Sequence, residues 1–299
     1  MTPPVLRAAG REVPLEVPRL MGIVNATPDS FSDGGELPTT EARIERGRAL
    51  LREGADLLDV GGESARGDRP AVPAEEEIER VVPVVAGLAG EGAVVSVDTH
   101  KPAVAEAAIR AGAAMVNDVS GLRDPELAAV CAGTGAALVI VHTRVATKGT
   151  LLDPARYADV VADVCRFLEE QMTAARAAGV GEEQLVLDPG PDFAKTPAQT
   201  VAVLRRLDAV LALGRPVLLA VSRKDFVGAL TGRAPRERGA GTLAALAHGV
   251  DAGAHVLRVH DVAAAADFLA VRAALRGDRE LAPREGLTPD RFPAERPLA

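Results

Sequence analysis

Eight short apolar runs recur along the chain of 299 residues, and stretches rich in Ala, Leu, Glu and Arg separate them. Several runs are apolar almost throughout, as expected for strands that are covered on both faces. Alternation of strands and helices predicts parallel strands joined by crossover helices. Eight such units favour a closed (β/α)8 TIM barrel that forms a single domain, with an open doubly wound sheet as the alternative. The predicted strands are 20–24, 56–60, 93–97, 114–117, 137–141, 184–187, 216–221 and 254–259.

The segments between these strands are long enough for helices, and several end at a Gly that leads directly into the next strand. Eight helices are predicted to alternate with the eight strands, and they include 41–53, 74–89, 102–111, 154–178, 198–212, 237–252 and 262–275. We therefore divide the chain into an N-terminal segment over 1–19, a barrel over 20–275 and a Pro-rich, charged tail over 276–299.

The composition excludes several classes of protein. Lys and Arg number 34 against 42 Asp and Glu, and the net charge of −8 argues against a nucleic-acid partner. The N-terminus has no signal-peptide pattern, and no apolar run reaches the length of about 18 residues that a membrane span needs. The two cysteines are interpreted as reduced thiols. These features predict a cytoplasmic protein that acts on a small molecule, with no nucleic-acid and no membrane partner.

Polar groups stand at the carboxyl ends of the predicted strands, where barrels of this kind have their active sites. Turn and helix-cap roles would explain the Asp and Asn residues among them, but not Lys224, Arg258 and His260. A positive charge is disfavoured at the start of the following helix, so these three residues indicate an anion site. The complete set is Asn25, Asp59 with Glu63, Asp98, Asn117, His142, Asp188, Lys224, and Arg258 with His260.

The last strand of a closed barrel lies beside the first. Arg258 and His260 are two residues apart on the last strand, so their side chains are predicted to point the same way. Asn25 comes from the end of the first strand. These three groups together suit a phosphate or a diphosphate.

The opposite arc of the barrel offers acceptors from Asp98, Asn117 and Asp188. Buried carboxylates need partners. They could form ion pairs with Lys224, or they could accept hydrogen bonds from a planar heterocycle that carries an amino group and a ring N–H. The residues alone leave both interpretations open.

Taken with their flanking residues, these strand ends resemble the dihydropteroate synthase family of folate biosynthesis. The segment "MGIVNATPDSFSDGG" (21–35) is similar to that family's opening signature, and the resemblance extends over about residues 20 to 275. The further matching segments, in the family's order, are "DVGGESARG" (59–67), "SVDTHKP" (96–102), "NDVSG" (117–121), "DPGPDFAK" (188–195), "SRKDFVG" (222–228), "GTLAA" (241–245) and "RVHD" (258–261).

The resemblance implies a (β/α)8 barrel, a homodimer and a transferase reaction. Such enzymes join 6-hydroxymethyl-7,8-dihydropterin diphosphate to 4-aminobenzoate and release diphosphate. It also implies a role for each matching residue, in which Asn25, Lys224, Arg258 and His260 would be catalytic. The pterin would be held by Asp98, Asn117, Asp188 and Lys224. The diphosphate would be held by Asn25, Arg258 and His260, with Asn25 helping to bind Mg²⁺. The aminobenzoate side would be lined by Arg66, Phe193 and Ser222, and residues 27–35 would form a loop that closes over the substrates.

The chain departs from the family's usual residues in loops on the aminobenzoate side. Ala65 and Gly67 stand where most members have Thr and Pro, Thr143 replaces a Met, and Asp192 replaces a Gly. We expect the pterin diphosphate to bind as in the family and 4-aminobenzoate to bind more weakly. Thr143 offers less apolar contact than Met, and Asp192 would repel the benzoate carboxylate if it faces the pocket.

Two alternatives to an active dihydropteroate synthase follow from these departures. One is a divergent paralogue that binds a pterin but uses a different second substrate, or none. The other is a methyltransferase of the methyltetrahydrofolate type, which shares the Asp and Asn pterin pocket. The retained "SRK" (222–224) and "RVHD" (258–261) argue against methyl transfer, because that reaction has no diphosphate to hold.

Overall fold

A computed structural model describes residues 5–27, 39–63, 71–145, 153 and 155–282 of the chain. Within these residues the elements alternate as the sequence predicts. The strands are β1 Leu6–Ala8, β2 Arg11–Val13, β3 Arg19–Asn25, β4 Leu57–Gly61, β5 Val94–Asp98, β6 Met115–Asp118, β7 Ala137–Val141, β8 Leu185–Asp188, β9 Leu218–Leu219 and β10 Val256–Val259. The helices are α1 Thr40–Arg52, α2 Ala74–Gly90, α3 Pro102–Arg110, α4 Glu126–Thr134, α5 Val160–Ala177, α6 Pro197–Arg205, α7 Leu207–Leu211, α8 Asp225–Thr231, α9 Gly239–Ala252 and α10 Val262–Arg276.

Strands β3 to β10 form one sheet in the order β8-β7-β6-β5-β4-β3-β10-β9, and every pairing in it is parallel. A parallel bridge between Leu187 and Val217 joins the two outer strands of this order. The sheet therefore closes almost completely on itself. The predicted (β/α)8 barrel is confirmed, and the open doubly wound sheet is wrong.

Side chains alternate between the two faces of each barrel strand, and the alternation separates two apolar clusters. One cluster lies between the strands and the helices, and it includes Leu20, Leu58, Val97 and Leu257. The other fills the interior of the barrel, and it includes Met21, Leu57, Val139 and Val256. Residues of the same parity further along the strands belong to the interior face as well. They are Asn25, Asp59, Asp98, Asn117, Asp188, Arg258 and, just beyond the strand ends, Ser222 and His260.

A two-stranded hairpin of β1 and β2 closes the amino-terminal end of the barrel. Its apolar side chains Leu6, Ala8 and Val13 are buried in the interior cluster. The turn between the strands places Ala9 and Gly10 at positive φ angles of 50° and 78°. The sequence prediction treated residues 1–19 only as a segment and missed this hairpin. With one end closed by apolar packing, the polar side chains gather at the other end.

Three predicted helices or strands differ from the structure in their bounds. Helix α5 begins at Val160 rather than at 154, because the Asp159 carboxylate caps it by accepting from two backbone N–H groups. The predicted helix 198–212 divides into α6 and α7 at Arg206, whose φ of −118° is not helical. The apolar run 216–221 forms a strand over only two residues, and helix α8 was not predicted.

None of the described helices is long and apolar enough to span a membrane. Helix α10 ends at Arg276, where the predicted tail begins, and residues 283–299 of that tail lie outside the described residues. The cytoplasmic location stays a prediction.

Candidate active site

An arginine and two aspartates form the centre of the polar end of the barrel. The Arg258 Nε lies 2.6 Å from the Asp59 Oδ2, and the Arg258 Nη2 lies 2.9 Å from the Asp98 Oδ2. The Asn117 Nδ2 donates to the same Asp59 oxygen at 3.0 Å. Burial lowers the pKa of Arg258, but Asp59 and Asp98 outweigh burial and raise it overall. The guanidinium therefore stays charged and links three strands.

The structure pairs Arg258 with these carboxylates. Strand β10 does pair with β3, as predicted, but the register sets Arg258 opposite Met21, four residues before Asn25. The side chain of His260 contacts Ser222 instead. Arg258 and His260 thus both have the interior parity of β10, but their side chains make different contacts. A contact between Arg258 and a diphosphate stays a prediction.

Three buried polar atoms of the barrel interior have no hydrogen-bond partner among the described residues. They are the Asp59 Oδ1, the Asn117 Oδ1 and the Ser96 Oγ. Leaving such atoms unpaired in a protein interior costs free energy, and a bound molecule with N–H donors would satisfy them. Of the two interpretations left open for the carboxylates, an ion pair forms at Asp98, but with Arg258 and not with Lys224 among the ion pairs of the described residues.

Asp188 lies at the end of β8, and its side chain is buried. Burial raises its pKa to about 6, although the Gly190 N–H donates to its Oδ1 at 2.7 Å and Lys224 lies nearby. Asp188 can therefore gain or lose a proton close to neutral pH. As a carboxylate it can accept hydrogen bonds from a ligand.

Lys224 lies over the ring of Phe193, with its Nζ 4.5 Å from the ring centroid. This distance is within the range of cation–π attraction. Burial lowers the pKa of Lys224, whereas Asp192 and Asp188 act to raise it. The predicted pterin residue and the predicted aminobenzoate residue are thus in direct contact.

Asp192 does not project towards a benzoate. Its Oδ2 accepts from the backbone N–H of Asp225 at 2.5 Å and from that of Phe226 at 3.4 Å, while its Oδ1 accepts from the Thr200 hydroxyl at 3.0 Å. The φ angle of Asp192 is +65°, in the left-handed region that Gly adopts freely and that Asp tolerates better than most residues. Repulsion of 4-aminobenzoate by Asp192 is therefore not expected.

His260 and Ser222 hold each other in a reciprocal pair. The backbone N–H of His260 donates to the Ser222 Oγ at 3.2 Å, and that oxygen lies 3.0 Å from the His260 Nδ1. The Ser222 hydroxyl can then donate to Nδ1, which leaves the ring proton of a neutral imidazole on Nε2. Burial, followed by Arg223 and Arg258, lowers the pKa of His260 to about 3. His260 is thus a neutral hydrogen-bond donor at pH 7 and not a cation.

A further buried basic residue, Lys195, was not predicted from the sequence. Its Nζ lies 2.7 Å from the His142 Nδ1 and donates to the Gly190 carbonyl at 2.9 Å and to the Phe193 carbonyl at 3.2 Å. The His142 Nε2 lies 3.2 Å from the Asp163 Oδ1. His142, one of the predicted strand-end groups, is therefore linked through Lys195 to the loop after β8. Lys195 is the last residue of the segment "DPGPDFAK" (188–195), and no pattern in that segment predicts a buried lysine.

The remaining predicted residues divide between described and undescribed parts of the chain. Asn25 is half-buried at the end of β3, and Thr143 is buried, with its hydroxyl accepting from the Val145 N–H at 3.4 Å. Glu63 forms an ion pair with Lys101, which also contacts Glu77. Three predicted aminobenzoate-side positions, Ala65, Arg66 and Gly67, lie outside the described residues, as does most of the predicted closing loop 27–35.

Comparison with known proteins gives consistent matches over most of the chain. Residues 21–260 match the model of the pterin binding enzyme family. The dihydropteroate synthase of Bacillus subtilis is 41% identical over 246 residues, which make up 81% of this chain and 83% of the relative. A solved structure of Xanthomonas albilineans dihydropteroate synthase with 4-aminobenzoic acid shares 47% identity with a TM-score of 0.84, and the match covers 92% of this chain and 99% of that chain. The same enzyme in complex with 7,8-dihydropteroate shares 46% identity with a TM-score of 0.82 and covers 91% and 99%.

Proposed function

This chain belongs to the dihydropteroate synthase family of pterin-binding enzymes, and from this membership we propose how its described residues carry out the family's reaction. The activity is the joining of 6-hydroxymethyl-7,8-dihydropterin diphosphate to 4-aminobenzoate. The amine nitrogen forms a bond to the exocyclic methylene carbon, the C–O bond to the diphosphate breaks, and the amine loses a proton. The leaving diphosphate takes the bonding electron pair, so negative charge grows there.

The observation that carries the proposal is the set of interior acceptors around Arg258. The Asp59 Oδ1 and the Asn117 Oδ1 are buried without a partner among the described residues, and Asp98 borders them. A pterin carries an amino group and ring N–H groups that can donate to such acceptors. We assign the ring to Asp98, Asn117, Asp188 and Lys224, as the family resemblance implies, and add Asp59, which shares the same hydrogen bonds.

Arg258 and Lys224 supply positive charge next to the acceptors. Preorganised charges that face the developing charge of a transition state are a large contribution to catalysis. Arg258 is held in place by two carboxylates before any substrate arrives, so little reorganisation is needed. His260 contributes a neutral Nε2–H donor to the diphosphate, fixed by Ser222.

The predicted Mg²⁺ is part of the proposal, with the Asn25 side-chain oxygen as its protein ligand. Among the described residues no group of three or more His, Cys, Asp or Glu side chains could hold a metal ion. Mg²⁺ commonly keeps several waters and binds through few protein oxygens plus substrate phosphates, which fits a single amide at the end of β3. Such an ion would neutralise the diphosphate.

The predicted homodimer is supported by an apolar groove between α9 and α10. The groove has a volume of about 800 Å³, and Leu243, Phe268, Val271 and Leu275 line it. Val271 and Leu275 are exposed large apolar side chains, which is typical of a protein interface. Leu275→Glu should shift the protein towards the monomer in sedimentation velocity, whereas an unchanged mass would place any interface elsewhere.

The decisive experiment for the activity is a coupled assay of diphosphate release from the dihydropterin diphosphate. Release that depends on 4-aminobenzoate, together with formation of dihydropteroate detected by mass spectrometry, is the expected result. Release without 4-aminobenzoate incorporation would favour the paralogue with another second substrate.

A further inference from the structure

Two loops that carry predicted substrate contacts are joined by one side chain. The loop after β8 carries Phe193, and the turn between β9 and α8 carries Lys224. Asp192 belongs to the first loop, and its carboxylate binds the first N–H groups of α8, at Asp225 and Phe226. We propose that Asp192 is a positioning residue that clamps the turn before α8 and thereby holds the Lys224 ammonium over Phe193. The inference rests on the assignment of Lys224 to the pterin in the proposed function.

Both carboxylate oxygens of Asp192 accept hydrogen bonds, which fixes the side chain. The Thr200 hydroxyl donates to Oδ1, and the same hydroxyl accepts from the Asp192 N–H at 3.1 Å. Thr200 is completely buried in α6. The clamp is therefore anchored to a helix, and the carboxylate cannot rotate away without losing these hydrogen bonds.

The opposite side of the same turn is held by Arg238. Its Nη1 donates to the carbonyls of Arg223 and Lys224 at 2.9 and 3.1 Å, and to the Asp225 carboxylate at 2.9 Å. An anion thus holds the N–H groups of the turn while a cation holds its carbonyls. Lys224 lies between them, so the direction in which its side chain leaves the backbone is constrained on both sides.

Asp192 also acts on the charge of Lys224. Burial and Arg258 lower the pKa of Lys224, and Asp192, Asp188 and Asp225 raise it. Among these three carboxylates, Asp192 makes the largest contribution and Asp225 the smallest. Removing its charge should lower the pKa of Lys224 and move the alkaline loss of pterin affinity to lower pH.

Two substitutions distinguish the effect of the hydrogen bonds from Asp192 to α8 from the effect of its negative charge on Lys224. Asp192→Gly keeps the left-handed backbone without strain and removes the carboxylate, whereas Asp192→Asn keeps an acceptor for α8 and removes only the charge. Asp159→Gly is the matched control, because Asp159 caps α5 through two backbone N–H groups in the same way. We would measure the Kd of the pterin diphosphate by calorimetry at several pH values, and amide exchange at Asp225 and Phe226 by NMR.

We expect Asp192→Gly to raise the Kd about three- to tenfold and to speed exchange at both amides, as for loss of a helix cap. Asp192→Asn should leave exchange within about twofold and still move the alkaline loss of affinity to lower pH. Asp159→Gly should change neither the Kd of the pterin diphosphate nor the exchange at Asp225 and Phe226. In a Lys224→Ala background, Asp192→Gly should have no further effect on the Kd.

The outcomes distinguish this inference from the proposed function. Unchanged Kd and unchanged exchange in Asp192→Gly would overturn the role of Asp192 and leave the proposed function standing. Faster exchange with an unchanged Kd would also overturn it, because Asp192 would then be only a helix cap. An unchanged Kd in Lys224→Ala would overturn the assignment of Lys224 to the pterin.

Discussion

Two of the buried basic residues at the polar end of the barrel, Arg258 and Lys195, have different partners. On the arginine side, Arg258 is bonded to the carboxylates of Asp59 and Asp98. On the lysine side, the Lys195 Nζ has only neutral acceptors within hydrogen-bond distance among the described residues, namely the His142 ring and three backbone carbonyls. The carboxylates outweigh burial and raise the pKa of Arg258, while burial lowers the pKa of Lys195 to about 7.

The difference shows that burial alone does not decide the charge of a cation. A carboxylate at close range keeps the charged form, whereas dipoles compensate only part of the lost hydration. The Arg258 guanidinium therefore stays charged. The lysine side ties the loop after β8 to β7, and its protonation can change near neutral pH.

The largest effect should follow from removing the charge on the arginine side. Arg258→Ala should lower turnover by about 100-fold or more, the scale of losing one transition-state donor. It should also lower the free energy of unfolding by about 3–5 kcal/mol, because the carboxylates of Asp59 and Asp98 lose the positive charge that neutralises them. Rates of diphosphate release and urea denaturation would measure the two effects.

Arg206→Ala is the matched control, since Arg206 also contacts an aspartate, Asp208, but both of these side chains are more than half exposed. Exposed pairs contribute about 0–1 kcal/mol, so this variant should be nearly as stable and as active as the parent chain. Near-normal diphosphate release by Arg258→Ala would show that the arginine side does not support the chemistry.

On the lysine side, Lys195→Met should reveal a slope of stability with pH. The folded pKa of about 7 lies below the unfolded value of 10.5, so between these values the unfolded chain binds more protons. The free energy of unfolding of the parent chain, relative to the variant, should therefore rise by about 2 kcal/mol from pH 7 to pH 9. Urea denaturation at each pH would measure it.

Lys101→Met provides the contrast, because Lys101 is a largely buried lysine with carboxylate partners, Glu63 and Glu77. These partners outweigh burial and raise its pKa, so its contribution should be constant from pH 7 to pH 9. If both lysines gave the same slope, the proposed difference between carboxylate and neutral partners would be refuted.

The residues of the site also differ in how well they could be predicted from the sequence. Strand-end positions of the interior parity are fixed by the period of two in a strand, so Asp98, Asn117 and Asp188 were found directly. Arg258 was identified too, but its ion pairs with Asp59 and Asp98 were not predicted, because the sequence does not give the register of β10 on β3. The sequence did not show that Arg258 lies four residues deeper than Asn25.

Residues that act on backbone groups were missed. Lys195 and Asp192 bind carbonyls and N–H groups, and neither interaction leaves a complementary side chain in the sequence. Asp192 was noticed only because it replaces a Gly, and its direction depends on a positive φ that the sequence does not give. The β1–β2 hairpin did leave a signal, since alternating apolar residues flank Ala9 and Gly10 in "LRAAGREV".

Asp188 is influenced by both the arginine side and the lysine side, because Arg258 and Lys195 both act on its pKa. Its pKa of about 6 predicts that the affinity for 6-hydroxymethylpterin, which lacks the titrating diphosphate, falls about tenfold from pH 7 to pH 5. Calorimetric titration would measure this. Asp188→Asn should bind more weakly and without this pH dependence; an equal dependence in the variant would assign the titration to another group.

The smallest effect is expected at Thr143, which follows His142 on the lysine side and touches none of the charged groups in the described hydrogen bonds. The Asp192 carboxylate points towards α8. Among the described residues that differ from the family's usual ones, Thr143 is therefore the one left that could weaken 4-aminobenzoate binding. Thr143→Met adds apolar surface worth about 1 kcal/mol or less, so the KM for 4-aminobenzoate should fall about two- to fivefold. Thr143→Val, which adds no length, should change the KM by less than about twofold. Steady-state kinetics with each substrate varied in turn would measure both, and a KM that rises in the Met variant would mean that the pocket has no room for the longer side chain.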